Sequence, residues 1–115
     1  MKKQASLLAI LLMFVMPALA DHGGPPGPDQ PLLIDVRTPE EYRSEHVRTA
    51  VNIPYDEIAS RIAAMAPDRN TRIALYCRSG RRSGIAEQTL RQLGYSQVEN
   101  KGGLDDMLRS GYRTD

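Results

Sequence analysis

Cys77 is the only cysteine in the chain, and it opens the run Cys77-Arg78-Ser79-Gly80-Arg81-Arg82-Ser83. By residue type alone, an unpaired cysteine is most often a small buried hydrophobe. A polar, arginine-rich loop is a poor setting for that role. Gly80 permits backbone angles that residues with a Cβ resist. Successive N–H groups can then turn inward as an anion-binding nest. A helix beginning near Ser83 adds its own free N–H groups and the positive end of its dipole. A thiol in that field is favoured as thiolate, the nucleophilic form. No histidine base is then required. The backbone donors of the loop are expected to matter most. Arg78, Arg81 and Arg82 would add longer-range attraction for an anionic substrate. The bland alternative is a set of solvated arginines in a chain whose only lysine after Lys3 is Lys101.

Two chemistries place a cysteine in an anion cradle: sulfur transfer and phosphate-ester hydrolysis. Cysteine phosphatases need a phosphate-clamping arginine six positions after the cysteine, which here is position 83. That position holds Ser83, and the arginines stand earlier, at 81 and 82. The loop also has no acid to protonate a leaving alcohol. Phosphatase or arsenate-reductase chemistry is therefore disfavoured, for want of the bidentate clamp.

Other polar residues have weaker claims. Asp35 and Arg37 close the first strand and could line a catalytic edge. An ion pair that fixes loops is the simpler reading. His46 lies between a helix and a strand, which suits a capping or loop-bonding role. His22 falls in a Pro/Gly-rich stretch without further metal-ligand types nearby. No cysteine–histidine cluster and no phosphate-loop lysine is present, so neither metal nor cofactor is expected.

The elements that must position Cys77 alternate between strand and helix. Leu32–Ile34 is a short apolar run suited to a buried strand. Thr38-Pro39-Glu40-Glu41 reads as a helix start, with Thr38 as cap, Pro39 in the first turn and Glu41 completing a capping box. That helix should end near Glu45. Ala50–Ile53 is a second strand, and 56–66 a helix with Ile58, Ile62 and Met65 on its inner face. Arg72–Tyr76 is the third strand. Ser83–Leu93 follows as a helix with Ile85, Leu90 and Leu93 inward, stopped by Gly94. Gln97–Glu99 is a fourth strand, and Leu104–Ser110 a last helix. Such alternation implies an α/β fold, a small parallel sheet flanked by helices on both faces. Cys77 then falls at the C-terminal end of a strand, where open parallel sheets place their ligand sites.

The first 20 of the 115 residues read as a signal peptide. Met1-Lys2-Lys3 is a basic start, 5–16 is almost wholly apolar, and Ala18-Leu19-Ala20 fits the small-x-small cleavage rule. The apolar run is short for a spanning helix. Cleavage after Ala20 would leave Asp21 as the first residue, a Pro/Gly-rich leader over 21–31 and a single domain over 32–115. The expected destination is the periplasm or the exterior, with no membrane association after cleavage. Without Lys2 and Lys3, the 15 basic and 14 acidic residues become a slight acidic excess, which argues against nucleic acid as a partner. A lone thiol in an oxidising compartment also calls for an explanation.

Four segments resemble the single-domain rhodanese family: LLIDVRTPEEY (32–42), EHVRTAVNIPYDEI (45–58), YCRSGRRSG (76–84) and LGYSQVENKGGLDDM (93–107). Together they cover nearly all of the chain after the leader. The resemblance implies a rhodanese fold and a thiosulfate sulfurtransferase reaction. It implies that Cys77 takes the outer sulfur of thiosulfate, releases sulfite, and passes the sulfur from a persulfide to cyanide or a thiol. The six-residue loop from Cys77 to Arg82 matches the sulfurtransferase length. One departure is Thr49, where the family usually has glycine. The competing reading is a catalytically silent binding module of the same fold, although such members typically lose the cysteine. The sequence leaves the physiological acceptor and the oligomeric state open.

Overall fold

The computed structural model describes residues 30–115. The expected signal peptide, its cleavage site, His22 and the leader up to Asp29 lie outside the described residues. The order is β1 (Leu32–Asp35), α1 (Pro39–Ser44), β2 (Val51–Asn52), α2 (Ile58–Met65), β3 (Ile73–Cys77), α3 (Arg81–Gln92), β4 (Val98–Gly103) and α4 (Leu104–Arg109). The sheet runs β2-β1-β3-β4 with every neighbouring pair parallel. Strand β3 lies inside the sheet, and each of its five residues is buried, as an apolar run covered on both faces should be.

Side-chain alternation divides the core into two layers. Ile34, Ile73, Leu75 and Cys77 pack with Ile58 and Ile62 of α2 and Ala86 and Leu90 of α3. Leu33, Ala74 and Tyr76 pack on the opposite side with Met107 of α4 and the partly buried Tyr42 of α1. The sheet is therefore flanked by helices on both faces. The α1 cap forms as its sequence requires. The Thr38 hydroxyl accepts from the Glu41 N–H at 3.1 Å, and the Glu41 carboxylate accepts from the Thr38 N–H at 3.0 Å.

Several details differ from the sequence expectation. Met65, Ile85 and Leu93 are exposed rather than inward. Ser83 and Ala86 join Leu90 on the buried face of α3, so that face is less apolar than a leucine-and-isoleucine count suggests. Helix α3 starts at Arg81, two residues early, because Gly80 takes a left-handed conformation (φ +101°) and turns the chain directly into it. Strand β4 runs on to Gly103, since its polar end still pairs with β3. A register irregularity falls between Leu75 and Cys77, where Leu75 faces Asn100 but Cys77 faces Gly103. Thr49 has φ +81°, so a β-branched residue occupies a conformation suited to glycine.

Candidate active site

Cys77 ends β3 and is buried, with 1% of its surface exposed, its side chain at the edge of the apolar layer beneath α3. Burial and a donor cradle are alternatives for a lone cysteine by residue type, and the structure combines them. The Gly80 N–H donates to Sγ at 2.9 Å, and the Ser83 hydroxyl lies 3.4 Å from Sγ. Burial pushes the thiol pKa up. Hydrogen bonds from the Ser83 side chain and from the N–H groups of Ser83, Gly80 and Ser79 pull it down, and the net shift is downward. The result is a dry site whose donors favour a sulfur anion over a thiol.

The bulged end of β4 holds the cradle's shape. Asn100 donates from Nδ2 to the Gly80 carbonyl at 3.0 Å, and its Oδ1 accepts from the Ser83 hydroxyl at 2.7 Å and from the Gly102 N–H at 2.9 Å. Bulges commonly re-aim side chains beside active sites, and this one turns Asn100 against the loop. Asn100 lies within the segment 93–107 that resembles the rhodanese family, but an amide in a polar stretch carries no chemical signal of its own, so the sequence does not single it out. Gly103 is required by space: a Cβ there would overlap the carbonyl of Arg78.

The loop side chains divide into three environments. Ser79 and Arg81 are exposed, and Arg81 makes no ion pair among the described residues. Arg78 is 73% exposed and reaches the Glu41 carboxylate at 3.5 Å. Arg82 is 18% exposed and grips Glu41 with two nitrogens, at 2.8 and 3.2 Å. Glu41, a helix-capping residue by its sequence position, thus also ties α1 to the loop. The Arg82 guanidinium, with help from the Thr38 N–H and hydroxyl, holds the Glu41 carboxyl down at about 2 against the opposing effect of burial.

Asp35 and Arg37 form a buried ion pair at 2.7 Å. Asp35 also accepts from the Tyr76 hydroxyl at 2.8 Å, and Arg37 donates to the Glu45 carbonyl at 2.6 Å. Tyr76 in turn accepts from the Val47 N–H at 2.9 Å. This network stitches β1, the 45–47 segment and β3 together at Tyr76, the residue before Cys77. Asn52 adds bonds to the carbonyls of Asp35 and Arg37, each at 3.0 Å. His46 is a loop-bonding residue: its Nδ1 is 2.7 Å from the Tyr42 carbonyl and its ring stacks on Tyr42 at 3.7 Å. Arg37 and Arg78 also line a cleft of about 400 Å³ with Glu40, Glu41, Glu45 and Asp105, open at the same sheet edge. Among the described residues no cluster of metal-ligating side chains occurs.

Comparison with known proteins agrees with this architecture. The family model described as a rhodanese-like domain matches residues 20–109. The thiosulfate sulfurtransferase PspE of Escherichia coli is 45% identical over 102 residues, covering 88% of each chain. The thiosulfate:glutathione sulfurtransferase of Saccharomyces cerevisiae is 30% identical over 92 residues, covering 70% of this chain and 66% of that protein. A solved Escherichia coli rhodanese with anions superimposes with a TM-score of 0.69 at 44% identity, covering 75% of this chain and 98% of that one. A parallel sheet with a cysteine loop at its C-terminal edge, matched by the family model over most of the chain, makes this protein a member of the rhodanese-like domain family.

Proposed function

We propose that this protein is a thiosulfate sulfurtransferase that carries sulfur on Cys77. The observation that carries the reading is the Gly80 N–H on Cys77 Sγ, part of a donor set that lowers the thiol pKa despite burial. The thiolate attacks the outer sulfur of thiosulfate. A bond forms between Sγ and that sulfur, the sulfur–sulfur bond of thiosulfate breaks, and sulfite leaves with the electron pair. Cys77 persulfide remains, its terminal sulfur anionic and facing the cradle donors. An acceptor nucleophile then attacks that terminal sulfur and expels the Cys77 thiolate. Cyanide yields thiocyanate, and a thiol yields a new persulfide. This is covalent two-step catalysis.

Exposed Arg81 and Arg78 supply the attraction that draws a dianion to the mouth. Ser79, Gly80 and Ser83 stabilise the sulfur through short-range donors. Asp35 and Arg37 support the loop indirectly, by holding Tyr76 and the end of β3 from which it springs. Names of relatives point to thiosulfate as donor and, for the yeast relative, to glutathione as acceptor. Residues 1–20 serve as an export signal, cleavage after Ala20 leaves a leader over 21–31, and 32–115 is the working domain in the periplasm or outside the cell.

Intact-mass analysis of the exported protein tests both parts. The expected mass starts at Asp21, gains one sulfur atom on treatment with thiosulfate, and loses it on adding cyanide. Cys77→Ser should show no gain. A parent protein that takes up no sulfur overturns the reading.

A further inference from the structure

Glu41 and the cysteine loop are far apart in the chain, and the fold brings them together. The carboxylate takes two bonds from Arg82 and lies within ion-pair distance of Arg78. The other acids near this edge are committed elsewhere or stand apart. Asp35 is paired with Arg37, and Glu40 lies 3.7 Å from Arg43. Glu45 and Asp105 line the adjacent cleft but form no ion pair among the described residues. Glu41 is therefore the carboxylate in contact with the loop cations, among the described residues. The negative charge of the Cys77 thiolate is among the causes that raise the Arg82 pKa, after Glu41 and against the effect of burial, so the two groups feel each other's charge.

We propose that Glu41 is the counter-ion of the cysteine loop, a positioning residue that acts through Arg82 to limit the positive charge felt by the Cys77 sulfur and its anionic donor. The proposal rests on the reading of Cys77 as the sulfur carrier. A dianion must enter and a second dianion, sulfite, must leave. Three unneutralised arginines would attract the first and also retain the second. With Glu41 on Arg82, the mouth keeps Arg81 and most of Arg78 for attraction, and the charge nearest the sulfur is balanced. Because both terminal nitrogens of Arg82 are engaged, the same contact fixes the first turn of α3.

Glu41→Gln separates charge from architecture. Glutamine also serves in a capping box, so the Thr38 cap survives, and its carbonyl oxygen still accepts one Arg82 N–H. Cys77 is the only cysteine, so the ultraviolet absorbance of its thiolate reports its titration when it is read below the pH at which the five tyrosines ionise, with Cys77→Ser as the blank. In Glu41→Gln the thiol should ionise at lower pH than in the parent. KM for thiosulfate should fall by about three- to tenfold without a rise in kcat, and sulfite should inhibit more strongly. Arg82→Gln should shift the thiol titration the opposite way, which keeps the test decisive if the first variant folds poorly. A titration in Glu41→Gln that superimposes on the parent's or moves to higher pH overturns the proposal, as does a raised KM. Either result would leave Glu41 as a clip between α1 and α3. The thiol titration needs no sulfur transfer. If the protein takes no sulfur from thiosulfate, the reading of its function fails while the role of Glu41 is still decided.

Discussion

Ser83 occupies the position where a phosphatase would carry its arginine, and its hydroxyl is the sharpest device in the site. It has one proton and three acceptors in reach: Asn100 Oδ1 at 2.7 Å, the Gly80 carbonyl at 3.1 Å and Cys77 Sγ at 3.4 Å. A neutral thiol competes poorly for that proton, whereas a thiolate competes well. Ionisation of Cys77 thus draws the hydroxyl from Asn100 to sulfur. The Ser83 side chain is the largest of the contributions that lower the Cys77 pKa, behind only the opposing effect of burial. Ser83→Ala should therefore raise that pKa. Reactivity follows the thiolate, which accumulates as pH rises through the folded pKa. The pH–rate profile for kcat/KM with thiosulfate should accordingly move to higher pH, with a loss of about tenfold near neutrality that shrinks at alkaline pH. A loss of equal size at all pH values would show that Ser83 shapes the cradle without setting the charge on sulfur.

At the scale of elements, the sheet edge was legible in the sequence and the contacts across it were not. Apolar runs, the Thr38–Glu41 capping box and the Gly-containing loop are local patterns, and each gives a strand, a helix start or a turn where the structure has one. The placement of Cys77 at a strand end followed from the same local reading. What stayed hidden depends on which elements meet. Glu41 doubles as the partner of Arg82 because the start of α1 and the start of α3, on opposite faces of the sheet, come within side-chain reach of each other, 41 residues apart. Asn100 reaches Gly80 only because β4 extends past Glu99 and shifts register. Ile85 and Leu93 were expected inside, but α3 buries its small residues where the cradle approaches and leaves those two outside. The end of β4 carries a testable consequence. Gly103 sits against the Arg78 carbonyl, and its N–H donates to Asp106 at 2.8 Å. Gly103→Ala must push the cysteine loop away from β4. Stability should drop by about 1–3 kcal/mol, read from the urea midpoint, and sulfur loading of Cys77 should slow in parallel. Unchanged stability and loading would mean that the loop is free to shift at this contact.

At the scale of the whole molecule, no disulfide holds the described residues together, so stability rests on two apolar layers and on polar ties between elements. Thr49, strained at φ +81°, draws on that stability by about 1–2 kcal/mol. The tie between Glu41 and the loop arginines makes stability depend on acid in a predictable window. The Glu41 pKa is about 2 in the folded chain against an ordinary value of 4.5. A carboxylate with a depressed folded pKa contributes fully above its unfolded pKa, and that contribution is lost as pH falls through the folded value. The pair is partly open to solvent, so it should contribute about 1–2 kcal/mol at neutral pH, well below what the full shift would give. Urea midpoints measured from pH 7 down to pH 2 should show Glu41→Gln less stable than the parent at pH 7. The gap should narrow from about pH 4.5 downward and nearly close at pH 2, where the parent's Glu41 has itself begun to protonate. A gap that is constant with pH would mean that the variant loses the fit of the hydrogen bonds between Glu41 and Arg82 and not the charge that joins them.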